Sequence, residues 1–147
     1  MAPVTDAIRP LRHQVAGGTG ALRPLARQVV AWLVAAGLAP GRVDRVELAV
    51  HEVLANAFEH GHLADPRVPI DIRVVPVRAG AEVVVTDRAL AGRWELPPAG
   101  DPADARQEDP LPAVRGRGLA LAAAAVDGLD LRPEAACTVV TLRLELP

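Results

Sequence analysis

The sequence predicts an α+β fold: a two-layer α/β sandwich in which a mixed, mostly antiparallel sheet carries helices on one face. The segments that read as strands follow one another directly, as hairpins do. The helical stretches are apolar along one stripe only, as a layer resting on a sheet requires. Strands and helices do not alternate regularly, which argues against a Rossmann-like parallel sheet. The expected order is β-α-α-β-β-loop-α-β-β.

Met1 to Thr5 reads as a loose end. Ala7 to Ala16 alternates weakly, like an edge strand, and Pro10 argues against a central one. Gly17, Gly18 and Gly20 form a turn, with Thr19 as N-cap of a first helix over Ala21 to Ala36. Pro24 is tolerated in its first turn, where backbone N–H groups have no partner in any case. Leu22, Leu25, Val29, Trp32, Leu33 and Ala36 make the stripe to be buried, and Gly37 ends the helix.

The next helix is the central one, Val43 to Gly61, with Pro40 and Gly41 before it and Gly61 as its stop. Val46, Ala49, Val50, Val53 and Ala57 recur at helical spacing. Glu52 and Asn56 lie four residues apart, roughly 5–6 Å at Cβ, beside that face. Glu59 and His60 continue the polar edge. The carboxamide oxygen suits a hard cation such as Mg²⁺, and the carboxylate suits a proton leaving a hydroxyl or water. A solvated helix edge, with His60 favoured by the helix dipole, explains the same pattern without chemistry.

Ile70 to Arg78 alternates with period two, and Ala79 and Gly80 connect it to a second strand, Ala81 to Asp87. Arg88 to Val114 has no periodicity and holds five prolines and the acids Asp101, Asp104, Glu108 and Asp109. A structureless stretch this long is usually a functional lid, a disordered loop or a plain insertion. Gly116 and Gly118 then precede an Ala/Leu-rich helix that runs to about Val126. A glycine-flanked helix start offers free N–H groups to an anion, and Arg115 and Arg117 add charge; a lone G-x-G also serves simple turns. A final hairpin spans Leu129 to Arg132 and Thr138 to Leu146.

The whole, residues 1–147, has the size of a single domain with a real core. Half the residues are hydrophobic and only 2% aromatic, so that core is built from Val, Leu, Ile and Ala. The net charge of -2 supplies no polycation for nucleic acid and no basic membrane patch. All 16 basic residues are Arg, which excludes any lysine mechanism, a P-loop included. The single Cys137 excludes a disulfide framework and a cysteine-rich metal site. No apolar run is long enough to span a bilayer and no leader is evident, so a cytoplasmic location is expected.

Three motifs in order resemble the Bergerat-fold (GHKL) ATP-binding superfamily, and within it the anti-sigma-factor serine/threonine kinases of bacteria, the RsbW-like group. The likeness covers roughly Leu11 to Leu146. H-E-V-L-A-N-A-F-E-H-G (51–61) is similar to the family's N-box, V-V-V-T-D (83–87) to the strand whose Asp binds the adenine amino group, and G-R-G-L-A-L (116–121) to the second glycine box. The resemblance implies a histidine-kinase-like ATPase fold with an ATP lid at about 88–114. It implies Glu52 as general base, Asn56 as Mg²⁺ ligand, His60 beside the phosphates and Asp87 at the adenine. Gly116, Arg117, Gly118 and Leu119 would hold phosphates, and Thr138 would line the adenine pocket.

The resemblance further implies an ATP·Mg²⁺-dependent kinase that phosphorylates a Ser or Thr of an anti-anti-sigma (STAS-type) protein and sequesters a sigma factor. It implies no direct nucleic-acid or membrane contact, and it leaves homodimerisation open. This sequence departs from the family at D-R-A-L-A-G, where Ala89 and Ala91 replace two glycines, and at Cys137, which replaces a glycine before Thr138. Methyl groups there narrow the backbone's approach to adenine. The alternative is therefore a protein-binding module of the same fold that is weak in ATP chemistry or independent of it. An ATPase using Glu52 to activate water and a histidine-kinase catalytic domain rank lower; a dimerisation helix with a phosphoacceptor His and a transducer domain are both lacking from the pattern.

Overall fold

The period-two stretches form a five-stranded sheet in the computed structural model, which describes residues 9–15, 19–58, 70–87, 112–134 and 137–147. The strands are β1 (Leu11–Val15), β2 (Ile70–Val77), β3 (Gly80–Asp87), β4 (Gly128–Pro133) and β5 (Thr138–Glu145). Their order across the sheet is β1-β2-β3-β5-β4. Each neighbouring pair is antiparallel, so among the described strands the sheet is wholly antiparallel rather than mixed.

Register explains the two layers. Ile72, Val85, Val140 and Leu131 stand in one row across four strands, and Val74, Val83, Leu142 and Leu129 in the next. Successive residues point to opposite faces, so these rows share the helix-covered side. The alternate residues, among them Arg73, Glu82, Arg143 and Asp130, occupy the other face. At the β2–β3 hairpin Gly80 is required, because a side chain there would run into the backbone carbonyl of Leu144.

The first helix, α1 (Leu22–Ala35), buries Leu22, Leu25, Ala26, Val29, Val30 and Leu33. It is entered through a 3-10 turn over Thr19–Ala21, and its N-cap, Ala21, makes no side-chain cap bond. Thr19 is therefore not the cap. At the other end the Leu38 N–H donates to the Leu33 carbonyl and the Gly37 N–H to Val34, a Schellman closure with Gly37 at φ 111°. Trp32 is half-buried at the rim, and its Nε1 donates to the Arg9 carbonyl over 2.8 Å.

The central helix, α2 (Val43–Asn56), buries Val46, Ala49, Val50 and Val53 as its spacing predicts. Each such fully buried apolar side chain contributes about 1.5–3 kcal/mol. Beyond Asn56 the chain passes into a π-helical turn at Ala57 and Phe58. Residues 59–61, with His60, lie outside the described residues. The third helix, α3, spans Pro112–Ala125, so it begins before the two glycines instead of after them. Pro is well suited to a first helical turn, and it opens this helix. The expected lid at 88–114 thus lies outside the described residues except for its last three, which are helical.

In the helix layer α2 lies between α1 and α3 and touches both. A polar clasp ties the far end of α3 to its surroundings. Arg42 Nη2 donates to Asp127 Oδ2 at 3.0 Å and to the Ala125 carbonyl at 3.3 Å, and the Glu145 N–H donates to the same Oδ2 at 2.8 Å. Burial works to raise the Asp127 pKa, but the Glu145 N–H and the Arg42 guanidinium outweigh it and hold the carboxyl below its ordinary value. Among the described residues no helix is long and apolar enough to cross a membrane.

Candidate functional site

Among the described residues three polar side chains are buried: Asn56 at 6% exposure, Asp87 at 1% and Thr138 at 1%. All three are residues that the sequence singles out. In a core made of Val, Leu, Ile and Ala such groups are costly unless something answers them. Among the described residues nothing answers Asn56 Nδ2 or Thr138 Oγ1, both shielded from solvent without a hydrogen-bond partner. An unmet buried polar group costs about 1–3 kcal/mol, and it calls for an explanation such as a ligand.

These residues fall into two groups. The first is built on the helices. Glu52 and Asn56 stand one turn apart on α2, Glu52 half-buried and Asn56 buried. Gly118 of α3 faces both: a methyl carbon built on it would lie 2.5 Å from Glu52 Oε2 and 3.4 Å from Asn56 Nδ2. The glycine therefore sits against the carboxylate and the carboxamide together. Its neighbour Leu119 is buried in the core.

The second group is built on the sheet. Asp87 ends β3 and Thr138 begins β5, and the two are opposite each other in the ladder. Asp87 continues the inward series Val83, Val85, and Thr138 the series Val140, Leu142, so both face the helix layer. A carboxylate and a hydroxyl at the polar end of two apolar rows can accept hydrogen bonds from an amino-bearing ring.

Other candidates are placed differently. Gly116 and Arg117 lie within α3, past its first turn. The N–H groups of residues 116–119 thus belong to the body of the helix, where N–H groups bond back to the preceding turn. The open N–H groups of this helix belong to the turn after Pro112 instead. His60, Ala89 and Ala91 lie outside the described residues.

Sequence reasoning missed the Arg42–Asp127 clasp. Asp127-Gly128 after an alanine run does mark a helix end, but nothing local names Arg42 as its partner. No cluster of three or more His, Cys, Asp or Glu able to hold a metal occurs among the described residues. A cation at the helix group would therefore rest on few protein ligands and take the rest from its own phosphates and water, which is the habit of Mg²⁺. The unpaired carboxamide of Asn56 fits such a phosphate–cation group, since one end donates to phosphate oxygen and the other ligates the cation.

Residues 17–144 match the model of a family described as the histidine kinase-like ATPase domain. Among solved structures, the chain is similar to the RsbU and RsbW domains of Rv1364c from Mycobacterium tuberculosis, with TM-score 0.62 and 22% identity over 94% of this chain and 32% of that one. It is also similar to a chain of the SiaB–SiaC complex from Pseudomonas aeruginosa, with TM-score 0.63 and 15% identity over 93% of this chain and 90% of that one. At these identities the likeness is one of fold. The chain spans about a third of the length of the Mycobacterium protein (32%). No curated protein matches it.

Proposed function

Since the chain belongs to the histidine kinase-like ATPase domain family, we propose that it is an ATP·Mg²⁺-dependent anti-sigma regulatory factor of the cytoplasm. In this reading it transfers a phosphoryl group to a Ser or Thr of an anti-anti-sigma (STAS-type) protein and sequesters a sigma factor. The observation that carries the proposal is the coincidence of the buried polar side chains with the metal and adenine positions of the resemblance. One of the similar structures is a complex, SiaB with SiaC, which supports a protein partner.

ATP would supply the phosphoryl group, and a Mg²⁺ ion held with it would supply charge neutralisation at the phosphates. Glu52 accepts the proton of the attacking hydroxyl as its oxygen bonds to phosphorus and the bond to the ADP oxygen breaks. Asn56 would hold the cation through Oδ1 and offer its partnerless Nδ2 to phosphate oxygen. Asp87 accepts from the adenine amino group, and Thr138 lines the ring beside it. Positioning and electrostatics carry most of such a transfer.

A second reading is a protein-binding module that works without ATP. Ala89, Ala91 and Cys137, in place of glycines, favour it. Calorimetry of the full chain with ATP and Mg²⁺ separates the two. A kinase binds nucleotide in a Mg²⁺-dependent way and labels its partner from γ-³²P-ATP. Absence of binding at millimolar ATP would leave the module as the function.

A further inference from the structure

We propose that Gly118 is a positioning residue for Glu52: its missing side chain is the space in which the carboxylate is held. The proposal rests on the reading of Glu52 as the base, and it adds a steric cause for where that base sits. A methyl carbon at Gly118 would lie 2.5 Å from Glu52 Oε2 and 3.4 Å from Glu52 Cδ, well inside contact distance for the first. Gly118 lies inside α3. Glycine weakens a helix interior relative to alanine, so the helix itself gains nothing from it.

The strain of an added methyl would fall on Glu52 rather than on the helices. Leu119 and Ala122 bury α3 in the core on one side of the glycine. Arg42 holds the carbonyl of Ala125 at the end of the same helix. Asn56, also within reach, is buried on α2. The end of the Glu52 side chain is the part free to swing. A carboxylate displaced by about an ångström still accepts protons but no longer meets the attacking hydroxyl, and such misplacement costs about 10²-fold in rate.

The test is Gly118→Ala in the full chain, with Glu52→Asp and the double variant beside it. Phosphoryl transfer should fall about 10²-fold in kcat. The Tm should hold or rise, as an alanine in a helix predicts. The Glu52 carboxyl carbon, assigned in ¹³C spectra by its loss in Glu52→Gln, should change its chemical shift. In the double variant the shorter Asp vacates the space, so the loss should be smaller than the two single losses combined. Parental transfer with an unmoved Glu52 signal overturns the proposal, and so does a fall in Tm. If the parent itself transfers no phosphate, the kinase reading fails. The Glu52 signal then decides alone: a shift in Gly118→Ala supports the positioning contact, and an unchanged signal overturns it.

Discussion

Asp87 and Thr138 face each other across β3 and β5, each about 1% exposed, at the polar end of two otherwise apolar rows. In the proposed reading this carboxylate accepts from the amino group of adenine, with the Thr138 hydroxyl beside it. Asp87→Asn keeps the shape and turns half of the acceptor into a donor. ATP affinity should drop by about 1.5–3 kcal/mol, the usual worth of a hydrogen bond to a charged group. Calorimetry reads this directly, and parental affinity in the variant would remove Asp87 from the adenine site.

On α2 the two polar residues should separate by role. Glu52→Gln should lower phosphoryl transfer by about 10²–10⁴-fold, the range for a lost general base, and leave ATP and sigma-factor binding intact. Asn56→Ala should weaken Mg²⁺-dependent ATP binding itself. Radiolabel transfer and calorimetry on both variants check this. A parent that never labels a partner, with both variants binding like the parent, would end the kinase reading.

Much of this was legible because the sequence repeats its periods cleanly. The rows through Ile72 and Val74 follow from strict alternation, and the face of α2 from Val46, Ala49, Val50 and Val53. The place of Asn56 beside that face was legible, but its burial was not, because a solvated edge gives the same spacing. The start of α3 was not legible, because Pro112 looks like loop and Gly116 and Gly118 look like the turn before a helix. Packing on α2 overrides both, since the groove beside Glu52 accepts a glycine. The missing cap at Thr19 has a similar origin: a 3-10 turn takes up the entry to α1.

Gly80 and Gly41 should respond oppositely to a methyl. A side chain at Gly80 meets the backbone of Leu144 and Glu145, which cannot rotate aside. Gly80→Ala should cost about 1–3 kcal/mol, as overpacking does. Gly41 has nothing within 4 Å of the same built atom, and Gly41→Ala should stay within about 0.5 kcal/mol. Urea midpoints of the two variants make the comparison, and equal midpoints would contradict the packing at the hairpin.

The Asp127 clasp should show itself in acid. Its folded pKa lies below the unfolded value of about 3.8, so its contribution is fully present above that pH. The contribution is lost as pH falls through the folded pKa, when the carboxyl becomes protonated in both states. Asp127→Asn should therefore be less stable than the parent at pH 7, by less than about 1 kcal/mol for a partly exposed pair. The two stability curves should converge below pH 4. A gap that persists unchanged at low pH would show that the charge plays no part.

The sheet order has a consequence for how the molecule is made. β5 lies between β3 and β4, so the middle of the sheet joins Gly80 to Glu145 and Asp87 to Thr138. A chain growing on the ribosome can zip β2 to β3 early, since that hairpin is local. It cannot close the rest until Glu145 has emerged, when the local β4–β5 hairpin can add to β3. Until then Val83 and Val85 present an open flank, and closing it requires a long loop to be gathered first. High contact order of this kind slows folding and leaves a strand edge unpaired meanwhile. Truncation within β5 should thus produce an aggregating chain rather than a smaller folded one.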